Sequence, residues 1–145
     1  MKELLGNITS ATVRPESVFL ELLRAIAQKR KVVTADITGA FLKADLPPES
    51  AGQIVAFDTD ATKVILELKP EWKPFVDPAK GTLLVELQKA MYGLCEAPRA
   101  WFMELTSTLE RLGFRPNRYD PCVFNVVRND EQITICFHVD DLLIS

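Results

Sequence analysis

The chain reads as an α+β domain, with helices packed on one face of an antiparallel sheet. Three observations carry that reading: two segments with apolar residues at helical spacing, short runs of β-branched and aromatic residues, and the order strand, loops, strand, helix, strand, strand. The first helix is predicted from Pro15 to about Lys29, where Val18, Leu22, Ala25 and Ile26 recur at helical spacing behind a first-turn proline. Lys31 to Ile37 is β-branched and nearly continuous, which predicts a strand buried on both faces and ending at Asp36. Pro47-Pro48-Glu49-Ser50-Ala51-Gly52 breaks the pattern, after which Gln53 to Phe57 and Lys63 to Leu68 read as a peripheral hairpin. Pro70, Pro74 and Pro78 make Lys69 to Lys80 an ordered loop, and Thr82 to Leu87 returns to strand chemistry.

Pro98 opens the strongest helix. Trp101, Leu105, Leu109 and Leu112 form its apolar stripe, and Gly113 stands where a left-handed C-terminal stop is needed. Pro121 to Val127 and Ile133 to His138 flank Arg128-Asn129-Asp130-Glu131-Gln132 as a hairpin, and Leu142 to Ile144 follows as a further strand.

A length of 145 residues fits one domain able to bury a core. Hydrophobic residues at 48% and charged residues at 26% place the chain in the globular class. No run approaches the roughly 20 apolar residues of a bilayer span, so a soluble, intracellular protein without a membrane partner is expected. Cys95, Cys122 and Cys136 lack paired metal-ligand spacing and there is one histidine, which argues against zinc and for reduced thiols. A net charge of −3 disfavours a free-standing nucleic-acid binder. Gln28-Lys29-Arg30-Lys31 and the scattered Arg99, Arg111, Arg115 and Arg118 are the cations open to a phosphate backbone.

Chemistry concentrates at His138-Val139-Asp140-Asp141, two adjacent carboxylates in a very tight turn between apolar strands. Like charges beside apolar strands repel and resist desolvation unless divalent cations neutralise them. Asp36 ends another apolar strand far upstream, and three such carboxylates can converge on a pair of Mg²⁺ ions for phosphoryl transfer. After Asp36, Thr38-Gly39-Ala40-Phe41 offers small residues where backbone N–H groups can approach a triphosphate, followed by a rigid ring. Met91-Tyr92-Gly93-Leu94-Cys95-Glu96-Ala97-Pro98-Arg99 leads into a helix start that favours anions. Taken singly, an Asp-Asp pair suits an exposed turn and Asp36 a strand-end cap, which leaves a small interaction module with incidental acidic turns open at this point.

Five ordered blocks resolve that choice. Ala35-Asp36-Ile37-Thr38-Gly39-Ala40-Phe41-Leu42, Tyr92-Gly93-Leu94 with Ala97-Pro98-Arg99-Ala100-Trp101, Leu112-Gly113-Phe114, Asp120-Pro121-Cys122-Val123-Phe124 and Val139-Asp140-Asp141 together resemble the motifs of copia-type retrotransposon reverse transcriptases. The resemblance covers nearly the whole chain from Pro15 onward. It implies a polymerase palm on a ferredoxin-like sheet, one reverse-transcriptase palm domain over 1–145 with partial fingers, and two-metal transfer of dNTPs to a primer 3′ end. By the same resemblance, Asp36, Asp140 and Asp141 with the Ile37 backbone carbonyl bind two Mg²⁺ ions, Mn²⁺ being a possible substitute.

Thr38, Gly39, Ala40, Phe41, Tyr92 and Gly93 are implied to meet the nucleotide, with Phe41 as a steric gate against a 2′-hydroxyl, and Arg99 and His138 to meet nucleic acid. The implied partners are an RNA or DNA template, a DNA or RNA primer, dNTPs and the remainder of a retrotransposon polyprotein. The implied compartment is cytoplasmic, in a virus-like particle, or nuclear. His138 stands where the family generally has tyrosine, and Cys95-Glu96 where it has Lys-Gln, which exchanges a cation for an anion. Thumb and ribonuclease H sequence is expected to be absent. A truncated or decayed relic that binds nucleic acid without polymerising is the alternative.

Overall fold

A computed structural model describes residues 10–145. The chain divides into two compact units, one formed by residues up to Asp45 together with Lys89–Ser145, the other by Leu46–Gln88.

In the larger unit, helix α1 (Pro15–Ala27) precedes strand β1 (Val33–Asp36) and a short 3₁₀ helix (Ala40–Lys43). Its sheet also contains β4 (Arg115–Pro116), β5 (Val123–Arg128), β6 (Glu131–His138) and β7 (Asp141–Ile144), and α3 (Ala97–Arg111) comes before β4. The smaller unit holds β2 (Ile54–Phe57), α2 (Thr59–Leu68), a 3₁₀ helix (Pro70–Phe75) and β3 (Leu83–Glu86). The larger sheet runs β1-β7-β6-β5-β4, with every neighbouring pair antiparallel.

Thr134, Ile135, Cys136 and Phe137 are consecutive on β6 and all buried. Alternation along a strand sends neighbours to opposite faces, so both faces of the sheet are covered there. Arg24 of α1 donates to Gln132 Oε1 at 2.5 Å, whereas Phe102 of α3 packs on Phe137, with ring centroids 5.8 Å apart. Positions 132 and 137 lie on opposite faces of an unbroken ladder. The expectation of helices gathered on one face is therefore corrected: α1 and α3 cover different sides.

The α3 stripe forms as its spacing predicts through Trp101, Leu105 and Leu109, each about 5% exposed. Leu112 does not join it and is 56% exposed, because the helix ends at Arg111 and Gly113 (φ +90°) turns the chain away. Phe114 N–H donates to Leu109 O and Gly113 N–H to Glu110 O, the paired bonds of a Schellman stop.

Asp120 is the largest departure from solvent for a charged group here. It is 2% exposed, and Oδ2 accepts from Arg14 N–H (2.9 Å) and Ser17 Oγ (2.6 Å), while Oδ1 accepts from Cys122 N–H (3.0 Å). It thereby caps α1 from a distance and pins the start of β5. Burial opposes its ionisation, but the Ser17 bond and the two backbone N–H bonds outweigh that and hold the carboxyl below its usual range. Burial also pushes the thiols of Cys122 and Cys136 up to about 12 and about 11, keeping both as neutral core groups.

Four further expectations change. β1 lies at the sheet edge and its four residues are exposed, so its apolar run does not mark a doubly buried strand. Lys63–Leu68 is helical, because the Asp58 side chain accepts from Asp60 and Ala61 N–H and starts α2; β2 pairs with β3 instead. The five-residue loop expected at 128–132 shrinks to Asn129-Asp130, since Arg128 pairs directly with Glu131. The segment expected as loop at 69–80 contains the 3₁₀ helix Pro70–Phe75, whose i→i+3 bonds tolerate its prolines. No helix among the described residues is long and apolar enough to cross a membrane.

Candidate active site on the β6–β7 hairpin

Antiparallel register assembles the acidic residues. β1 pairs with β7 so that Asp36 faces Asp141, and β6 pairs with β7 so that His138 also faces Asp141. Ile37 N–H donates to Asp140 O at 2.9 Å, which makes Asp36 and Asp141 a non-hydrogen-bonded pair, the type in which opposing side chains approach most closely. Asp36, His138 and Asp141 consequently project from one face, with Asp140 beside them in the turn. Asp36 and Asp141 are exposed and Asp140 is half-buried.

The turn itself is strained. Val139 has φ +58°, a left-handed backbone that crowds a β-branched side chain and costs about 1–3 kcal/mol. Trp101 Nε1–H donates to Val139 O at 2.7 Å and holds that conformation from α3. The stripe pattern assigned Trp101 to the core alone; the overlooked signal was chemical, since a buried indole N–H needs an acceptor.

The carboxylate oxygens are not gathered. Among the described residues no three His, Cys, Asp or Glu side chains come close enough to hold a metal ion together. The Asp36 carboxylate instead accepts from Thr38 Oγ1 at 3.3 Å. Repulsion between like charges favours such dispersed, solvent-facing rotamers. The donor chemistry still suits a hard divalent ion, because carboxylates and a nearby backbone carbonyl are all oxygen ligands.

A second cluster forms around Phe41, five residues after Asp36 in the chain. Gly39 (φ +66°) caps the 3₁₀ helix that carries Phe41, and the Leu42 N–H donates back to Gly39 O at 3.0 Å. Residues 44–45 bridge to 89–90 through the Asp45–Lys89 bridge, their salt bridge, and Ala90 N–H to Ala44 O at 2.9 Å. That bridge delivers Tyr92 to Phe41, with ring centroids 4.7 Å apart and planes tilted by 53°. Gly93, at φ +96°, has open space where a Cβ would stand, so its left-handed backbone rather than crowding favours glycine. Ala40 is buried, Thr38 is exposed, Arg99 is half-buried in the first turn of α3, and His138 is exposed at the end of β6. The structure thus brings together Asp36, His138, Asp140 and Asp141, and separately Phe41 with Tyr92.

Comparisons with known proteins agree with this pattern. The family described as "Reverse transcriptase (RNA-dependent DNA polymerase)" matches residues 2–145. The chain is 29% identical over 136 residues to the Retrovirus-related Pol polyprotein from transposon RE2 of Arabidopsis thaliana, covering 94% of this chain and 8% of that protein. It is 30% identical over 139 residues to the Retrovirus-related Pol polyprotein from transposon TNT 1-94 of Nicotiana tabacum, covering 95% and 9%. The chain spans less than a tenth of these relatives' length. No solved structure matches. With the family match running along nearly every residue and the acidic hairpin set against Asp36, the chain belongs to the reverse transcriptase family, in its copia-type retrotransposon branch.

Proposed function

We propose that the larger unit is a polymerase palm of ferredoxin-like type, that the smaller unit is part of the fingers of the same reverse-transcriptase domain, and that the chain adds dNTPs to a primer 3′ end on an RNA or DNA template. The observation that carries this reading is the register that sets Asp36 opposite Asp141 beside the Val139-Asp140 turn. Asp36, Asp140 and Asp141 would hold two Mg²⁺ ions, or Mn²⁺, with the Ile37 carbonyl as a further oxygen donor. Bound there, such ions supply a lowered pKa at the primer hydroxyl and charge neutralisation at the triphosphate.

The remaining work falls to the chain's own groups. Backbone N–H groups of Thr38, Gly39 and Ala40 receive the triphosphate, and Phe41 closes the space that a 2′-hydroxyl would need. Tyr92 braces the Phe41 ring, and with Gly93 it meets the nascent base pair. Arg99 and His138 meet the nucleic-acid backbone. The wider polyprotein is the proposed source of the thumb and ribonuclease H, and a cytoplasmic particle or the nucleus the proposed setting.

A second reading, a relic that binds nucleic acid without polymerising, draws support from His138 and Cys95-Glu96, which depart from the residues the family generally carries there. Primer extension with Mg²⁺ or Mn²⁺, comparing the chain with Asp140→Asn/Asp141→Asn, separates the two. Extension by the chain that falls about a hundredfold or more in the double variant supports polymerisation at this hairpin. Product that survives the double substitution rejects it, and retained binding to a primer–template without any extension supports the relic.

A further inference from the structure

Trp101 holds a place in the site that its family motif does not explain. Its indole is 5% exposed, and its Nε1–H reaches the Val139 carbonyl, 38 residues along the chain, at 2.7 Å. A peptide unit is planar, so fixing the Val139 carbonyl fixes the plane that enters Asp140. On the far side, the Asp140 carbonyl accepts from Ile37 N–H at 2.9 Å, which fixes the plane that leaves it. Both backbone torsions of Asp140 are therefore clamped, one from α3 and one from the residue after β1. The direction of its Cα–Cβ bond follows from those torsions, and Val139 at φ +58° would relax if either clamp were lost.

We infer that Trp101 is a positioning residue, whose indole N–H aims the Asp140 carboxylate by holding the strained Val139 peptide. The inference rests on Asp140 being a metal ligand for its consequence, but the clamp itself is independent of that reading. A polar group that orients a ligand in this way acts as an outer support of the site, and loss of such supports commonly weakens metal binding.

The test removes the donor and keeps the shape. Trp101 is replaced by β-(3-benzothienyl)alanine, in which sulfur stands for the N–H, and Trp101→Phe serves as the second variant. Backbone amide exchange and relaxation are read by NMR without metal, and Mn²⁺ affinity is read by titration calorimetry, with Asp140→Asn alongside. The expected result is an unchanged fold by circular dichroism, faster exchange confined to Val139–Asp141, and Mn²⁺ binding weakened about three- to tenfold, the loss of one hydrogen bond.

Unchanged motion at Val139–Asp141 in the benzothienyl variant overturns the inference. So does Mn²⁺ binding that needs Asp140 yet is unaltered by the variant, an outcome that leaves the metal reading intact. Mn²⁺ binding that is equal in the parent chain and Asp140→Asn overturns the metal reading instead, and the exchange data then decide the clamp alone.

Discussion

The sheet contains two hairpins with two-residue turns, β5–β6 and β6–β7, and those turns are built in opposite ways. Asn129 and Asp130 both have positive φ (+51° and +62°), a pattern for which short polar side chains are the favoured non-glycine residues. That turn is exposed and its residues suit its backbone. At the corresponding place in β6–β7 stands Val139, a residue poorly suited to φ +58°, held by Trp101 from one side while Ile37 fixes the following carbonyl. One turn is encoded locally and the other is imposed by its surroundings. Strain that tertiary contacts maintain tends to mark functional positions, and this one carries Asp140.

The comparison can be broken at its shared strand. Phe137 is 2% exposed and packs against Phe102 and Phe124, so Phe137→Ala should cost about 3–5 kcal/mol and loosen both hairpins, measured by urea unfolding. Loss confined to one hairpin in amide exchange would show that β6 does not couple them.

Acid should act on one side first. Because the Asp120 carboxyl is held below its usual value of 3.8 in the folded chain, it contributes stability above that value, and the contribution disappears as pH falls through the lower folded pKa. Protonation releases Ser17, Arg14 and Cys122, so unfolding below about pH 4 should begin at the start of β5 and the first turn of α1. A pH titration of Asp120→Asn that keeps the parent's acid slope would contradict this.

The smallest effect sharpens the contrast most. Val139→Gly should stabilise the fold by about 1 kcal/mol through relief of backbone strain, less the entropy that glycine adds to the unfolded chain, while Asn129→Gly should change it by about 0.5 kcal/mol or less. Equal effects in thermal unfolding would remove the distinction between the two turns.

Much of the candidate site was legible in the residues themselves. The Asp-Asp turn is recognisable because apolar strands enter and leave it without polar padding, and α3 because its stripe, first-turn proline and terminal Gly113 agree. Other elements misled for specific reasons. Val64-Ile65-Leu66 has strand propensity, but the Asp58 cap and the bonds of Thr62, whose hydroxyl donates to Phe57 O and accepts from Leu83 N–H, outweigh it. The apolar run ending in Asp36 suggested burial, yet edge position left β1 exposed, and no local pattern reveals which strand lacks a neighbour.

The residues alone determined helices α1 and α3, the turns with suitable chemistry, the identity of the acidic groups and the family, since each depends on nearby side chains or on ordered motifs. Only the tertiary structure decided that β1 pairs with β7, that α1 and α3 take opposite faces, and that Trp101 rather than a glycine secures the turn at Val139. Those outcomes depend on which distant backbone groups meet, and strand register and hydrogen-bond partners are set by packing across the whole sheet.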